Sequence, residues 1–167
     1  MVFNKLLEDE KIHGTEVKVN YREAVRAIII QDENILLVHS NQGDYKFAGG
    51  GVEKNESHAE ALLREIAEET GYIRCIVKEK AGVVIERNVD EYEEGAYFQM
   101  TSHYYFCELI DGIKVNQKLD DYELEQEFMP EWVSIEYAIE QNEKAMKQRH
   151  YNGWIKRENF VLHKLSK

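Results

Sequence analysis

The chain is poor in the residues that punctuate or cross-link a protein. Its 167 residues include a single proline, Pro130, and two cysteines, Cys75 and Cys107. With so little proline and no Ser/Gly tract, no segment has the composition of an interdomain linker, and no internal repeat or low-complexity block divides the sequence. One domain over residues 1–167 is expected, a length that supports a core of its own. Two cysteines are too few for a disulfide framework and lack zinc-ligand spacing, so buried thiols in a reducing cytoplasm are expected. No apolar stretch approaches membrane-spanning length, and the start MVFNKLLEDEKIHG lacks the apolar run of a signal peptide. Positive charge is scarce too: 21 Lys and Arg against 32 Asp and Glu leave a net charge of -11. That balance argues against long DNA or RNA as a partner, because binding those backbones relies on Lys and Arg neutralising phosphates. Small phosphorylated substrates stay compatible, since metal ions carry compensating charge into the site.

Glutamate, by contrast, is concentrated in residues 50–72, GGVEKNESHAEALLREIAEETGY. Ser57 followed by Glu60 is a capping box, so a helix is expected to begin at about His58. Gly71 suits a left-handed C-terminal cap, which ends that helix near Thr70. Ala59, Leu62, Leu63 and Ile66 recur at helical spacing and predict the apolar stripe that packs on the core. Glu65, Glu68 and Glu69 stand three and four residues apart and gather beside it. Like charges so placed destabilise a helix by roughly 0.2–0.5 kcal/mol per pair. A hard divalent cation removes the conflict, with Mg2+ the natural occupant and Mn2+ its substitute. Arg64 is spaced to pair with Glu60 or Glu68, with Glu56 a further partner. Gly49, Gly50 and Gly51 precede the helix and let backbone approach a ligand, and together with the helix start they suit an anion.

Along the rest of the chain, residues 17–30 and 35–40 read as a hairpin turned at Asp32-Glu33-Asn34, and 45–47 as a short strand. Residues 73–87 and 97–109 read as two long strands joined by the acidic DEYEEG at 90–95. A short strand at 128–133 and helices at 135–147 and 154–165 complete a mixed sheet sandwiched between helices.

Gly50, Glu56, Arg64, Glu65, Glu68, Glu69 and Gly71, with aliphatic Ile66, resemble the full Nudix box in identity and spacing. Two departures are visible: Ala48 stands where the family often has proline, and Tyr72 replaces an aliphatic residue; neither removes a ligand. The resemblance implies an α/β/α sandwich with a central mixed sheet. It also implies a metal-dependent pyrophosphohydrolase that cleaves the diphosphate linkage of a nucleoside diphosphate derivative. In that likeness Glu65, Glu68 and Glu69 bind metal or assist water, the Gly49 carbonyl adds a ligand, and Arg64 and Glu56 form the orienting pair. Family members often recruit another carboxylate from a loop before a late Trp-containing strand. Here Glu123, Glu125 and Glu127 precede Trp132, and Glu127 is the choice.

Arg22 and Arg26, with Gly50 and Gly51, are the candidate substrate contacts, since arginine makes bidentate charge-assisted bonds to phosphate. Tyr97, Tyr104 and Tyr105 are candidates for stacking on a base, although aromatic residues in strands are more often core, and His103 shares that ambiguity. The proline typical of ADP-ribose enzymes and the arginine motif of coenzyme A enzymes are both missing near the box, and Tyr92 fits the tyrosine of dinucleoside polyphosphate enzymes only loosely. A nucleoside triphosphate or related small nucleotide is left by elimination. The rival expectation is a non-catalytic Nudix-fold module that binds a nucleotide, although such a module would be expected to lose box glutamates. Homodimers are frequent in the family.

Overall fold

The computed structural model describes residues 2–9 and 18–167. Residue 17, where the first long strand is expected to begin, lies outside the described residues. The elements in chain order are β1 (Phe3–Glu8), β2 (Lys18–Ile28), β3 (Ile30–Gln31), β4 (Asn34–His39), β5 (Tyr45–Lys46), β6 (Gly49–Gly51), α1 (His58–Thr70), β7 (Cys75–Val89), β8 (Ala96–Leu109), α2 (Asp121–Glu125), β9 (Met129–Val133), α3 (Ile135–Met146) and α4 (Ile155–Leu165).

The architecture is mixed α/β, as expected, but the strands divide into two sheets. One runs β1-β7-β8-β2-β6, with β1 parallel to β7 and β8 parallel to β2; the other joins β3, β4, β5 and β9. The chain changes sheets at Ile29, so the expected hairpin shrinks to β3 and β4. Asp32 and Glu33 turn it with φ of 50° and 66°, the left-handed pair that a tight two-residue turn demands. The long strands β7 and β8 form the antiparallel pair expected of them. Strand β1 and the short helix α2 have no counterpart in the sequence reading, and the glycine loop is itself a strand, with Val25 paired to Gly50 and Arg26 to Gly49.

Side chains alternate across β2, and the two faces feed separate apolar clusters. Val25 and Ala27 join Ala61, Leu62 and Ile66 of α1, together with Leu36, Val38 and Phe128. Ile28 joins Tyr104 and Val84 with Ala138 of α3 and Val161 and Leu162 of α4. Helices thus cover opposite faces of the five-stranded sheet. The buried seam of α1 is Ala61, Leu62, Ile66, Glu69 and Thr70, while Ala59 and Leu63 point outward. Leu62 and Ile66 of the expected stripe lie in this seam, which turns away from Ala59 and Leu63 toward Glu69, whose carboxylate is itself buried. No helix among the described residues is long and apolar enough to cross a membrane.

Candidate functional site

Helix α1 is held at both ends by the local chemistry its sequence carries. Ser57 Oγ accepts from the Glu60 amide at 3.1 Å, and Glu60 Oε2 accepts from the Ser57 amide at 2.9 Å. Gly71 closes the other end with φ of 82°, its amide donating to Ala67 O. The chain beyond β8 then clamps this end: the amides of Val115 and Lys118 donate to the carbonyls of Gly71 and Glu68, and Gln117 Nε2 donates to those of Glu69 and Phe128. That clamp brings the loop carrying Glu123 against the acidic end of α1.

Arg64 organises the glutamates at the glycine strand. Its fork takes Glu56 in two bonds of 2.7 and 2.9 Å, reaches Gly51 O at 3.1 Å, and meets Glu65 at 2.9 Å and Glu68 at 3.3 Å. Glu56 is thus the principal partner, because Glu60 is spent in the capping box. The same fork holds the Glu56 carboxyl down at about 2. Glu65 packs over Gly50, where a Cβ would lie 2.5 Å from its Oε1. Burial pushes the Glu65 carboxyl upward against the pull of Arg64. Glu68 lies at the rim, a third exposed.

Glu69 is the deepest of the three, with 1% of its side chain exposed and Oε2 at 2.7 Å from Lys46 Nζ. Lys46 lies over the Phe128 ring, 5.1 Å from its centre. Burial raises the Glu69 carboxyl to about 7; Lys46 opposes the rise, and the charges of Glu123 and Glu65 add to it. Of the loop carboxylates, then, the buried neighbour of Glu69 is Glu123, whose Oε1 accepts from the Asp120 amide at 2.8 Å. Glu127, the residue favoured from sequence, is exposed, has φ of 53°, and reaches Asn41 only at 3.5 Å. The short α2 turns Glu123 inward and leaves Glu127 past its end.

The substrate candidates separate likewise. Arg22 is exposed, with its guanidinium 2.9 Å from where a Cβ of Gly51 would sit. Arg26 is buried; its guanidinium reaches Met100 Sδ at 3.8 Å, its Nε has no partner among the described residues, and burial and the charge of Arg157 lower its pKa against the opposing pull of Glu158, Tyr104 and Glu69. Gly49 is buried opposite Arg26 in the strand pairing. Tyr104 is fully buried core, donating to Glu158 at 2.9 Å, which removes it as a stacking platform; Tyr105 is half-buried, with its hydroxyl 2.7 Å from His58 Nδ1. Lys46 was not foreseen; the only signal is a lysine set between the aromatic residues Tyr45 and Phe47.

Glu65, Glu69 and Glu123 offer oxygen donors, the chemistry that suits Mg2+ or Mn2+. The space left by Gly50, filled by the Glu65 carboxylate, and the repulsion carried by Glu69 fit such an ion. Glu65, Glu69 and Glu123 would hold it, with Glu68 at the rim.

A family model described as NUDIX domain matches residues 20–154. The CTP pyrophosphohydrolase of Escherichia coli (strain K12) is 41% identical over 75 residues, a match covering 38% of this chain and 56% of that relative. The chain thus spans little more than half the length of the curated relative. Among solved structures, a NUDIX hydrolase from Nitrosomonas europaea superposes with a TM-score of 0.57 at 21% identity, covering 89% of this chain and 91% of the other. A UDP-X diphosphatase does so with a TM-score of 0.54 at 21% identity, over 93% and 65%. At these identities the two structures speak for the fold.

Proposed function

This chain belongs to the Nudix family, and we propose that it is a metal-dependent pyrophosphohydrolase acting on a nucleoside diphosphate derivative, a nucleoside triphosphate first among them. The observation that carries this reading is the row of Glu65, Glu68 and Glu69 on α1, the first two held by the fork of Arg64 and the third buried, its carboxyl raised in part by the charges of Glu123 and Glu65. The name of the Escherichia coli relative favours a triphosphate, and that of the UDP-X diphosphatase keeps other diphosphate-linked nucleotides on the panel.

When bound, Mg2+ or Mn2+ supplies positive charge against the phosphate oxygens and acidifies the attacking water. The protein's own residues supply position. Arg64 braces Glu65 and Glu56, so the carboxylates keep their aim while substrate enters and leaves. Arg26 offers a buried guanidinium with an unpartnered Nε, a donor that a phosphate oxygen satisfies, and Arg22 offers a second at the open edge of the glycine strand. Gly50 and Gly51 keep side chains out of the phosphate path. The water oxygen bonds to phosphorus, the bridging P–O bond breaks, and a carboxylate of the cluster takes the proton. A triphosphate would yield a nucleoside monophosphate and diphosphate.

The test is a panel of nucleoside triphosphates, nucleotide sugars, ADP-ribose and dinucleoside polyphosphates with Mg2+ or Mn2+, comparing wild type with Glu69→Gln. Turnover on one substrate class, lost in the variant, supports the reading. No turnover across the panel would favour a nucleotide-binding module instead.

A further inference from the structure

At the opposite end of α1, two histidines and a glutamate from three separate elements meet. His58 is the first residue of α1, Glu23 lies on β2, and His103 lies on β8. Glu23 Oε1 is 2.7 Å from His58 Nε2 and 2.9 Å from His103 Nε2, and the three donor atoms lie within 4.8 Å of one another. The two imidazoles are 4.5 Å apart between ring centres. Nothing in the hydrolase reading uses these residues. His58 precedes Glu65 by about two helical turns, roughly 10 Å along the axis, so the cluster is separate from the carboxylate site.

We propose that Glu23, His58 and His103 form a second cation site, selective for a first-row transition ion such as Zn2+ over Mg2+, which ties the start of α1 to the sheet. The donor set is the first reason. Two imidazole nitrogens and one carboxylate oxygen suit Zn2+, Co2+ or Ni2+, whereas the box presents oxygen alone and suits a hard ion.

The spacing is the second. An ion bound tetrahedrally at 2.0–2.2 Å holds neighbouring donors about 3.3–3.6 Å apart. The Glu23 contacts at 2.7 and 2.9 Å already stand near that separation, so an ion replaces two shared protons with side-chain shifts below about 1 Å. The remaining positions open to water, because the Glu23 side chain is 49% exposed.

The outer contacts supply the third reason and a means of discrimination. A ligating histidine holds its other ring N–H on an acceptor, which fixes tautomer and ring orientation. His58 Nδ1 has such an acceptor in the Tyr105 hydroxyl at 2.7 Å. His103 Nδ1 instead faces Lys80 Nζ at 2.7 Å. An ammonium donates and cannot accept, so this contact puts the His103 ring proton on Nε2, the atom an ion needs. Lys80 is exposed on β7 and free to swing out, and its charge disfavours a cation nearby. Lys80 therefore acts as a competitor for the site, and removing it strengthens binding.

The experiment uses the full chain, stripped with EDTA and titrated with ZnCl2 against a chromophoric chelator in excess Mg2+. Visible absorption of Co2+ serves as a second readout, and thermal unfolding is followed throughout. The expected result is binding at micromolar Zn2+ or tighter with a rise in Tm. His103→Gln and Glu23→Gln should each weaken it at least about tenfold, and Lys80→Ala should tighten it severalfold. Glu69→Gln, which alters the other site, should leave it unchanged. Agreement of the metal-free Tm of His103→Gln and Glu23→Gln with wild type separates ligand loss from misfolding; Glu23→Gln alone suffices should His103→Gln not fold. Zn2+ binding that is absent, that survives both ligand variants, or that disappears in Glu69→Gln would overturn the proposal. Failure of the nucleotide panel would not touch it.

Discussion

Lys46 Nζ lies 2.7 Å from Glu69 Oε2, and both side chains are buried. The pair puts a fixed positive charge at the floor of the acidic site, between the strand that leads to the glycines and the helix that carries the glutamates. Even with Lys46 beside it, burial lifts the Glu69 carboxyl from 4.5 to about 7. In the unfolded chain this group ionises near 4.5, while the folded metal-free protein keeps its proton up to about 7. Between those values the folded state binds more protons, so this contribution to stability is present below 4.5 and is lost as pH rises through 7. Thermal unfolding in EDTA should therefore show Glu69→Gln gaining on wild type as pH rises from 4.5 to 7.5, by about 1–3 kcal/mol. A difference that stays flat with pH contradicts the assignment.

Arg64 touches Glu56, Glu65, Glu68 and Gly51 O through one planar fork. Lysine keeps the charge and cannot reproduce that geometry. Arg64→Lys should lower activity or metal affinity about 10–100-fold while the helix survives, since the caps at Ser57 and Gly71 are untouched. Circular dichroism beside steady-state kinetics measures both. Loss of helix in step with activity would mean that Arg64 serves the fold alone.

Much of this site was legible because its chemistry is local. The capping box and the C-terminal glycine need only residues three or four apart, and both ends of α1 fell where those signals put them. The partner of Glu69 was not legible, because Lys46 on β5 meets it across 23 residues of sequence, beyond the reach of any local pattern. Apolar spacing alone placed Leu62 and Ile66 in the buried seam but misjudged the rest: Ala59 and Leu63 fit the period, yet the seam runs through Ala61 and the buried carboxylate. Asp120 and Glu123 carried a helix-start pattern of their own, and reading it would have drawn attention to Glu123. The change of sheets at Ile29 and the parallel pairing of β1 with β7 depend on contacts distant in sequence, beyond any local pattern.

The two neighbouring glycines of β6 should fail in different ways. A Cβ on Gly50 meets the movable Glu65 carboxylate, 2.5 Å from Oε1, whereas a Cβ on Gly49 runs into the backbone carbonyl of Val25. Gly50→Ala should fold with a small change in Tm and lose about a hundredfold in kcat, as a displaced carboxylate no longer meets its target. Gly49→Ala, with φ of 154° and no side chain to yield, should lose about 1–3 kcal/mol or more of stability. Tm and kcat measured on both variants check the contrast. A Gly50→Ala protein with wild-type kcat would remove Glu65 from the reaction.

The remaining prediction concerns the loop before β9. Glu123 is buried and its charge acts on Glu69, while Glu127 is exposed beyond α2. Glutamine at 123 keeps an oxygen to accept from the Asp120 amide, so Glu123→Gln should preserve the turn and remove only the negative charge. The Mg2+ concentration for half-maximal activity should then rise by about tenfold or more, and the Glu69 carboxyl should ionise at lower pH once its acidic neighbour is neutral. Glu127→Gln should shift stability by less than about 0.5 kcal/mol and leave the Mg2+ requirement where it was. Activity titrated with Mg2+ for the two variants in parallel decides between them: the residue whose loss moves the midpoint is the one that completes the cation site, and a shift confined to Glu127→Gln would return the role to the exposed residue.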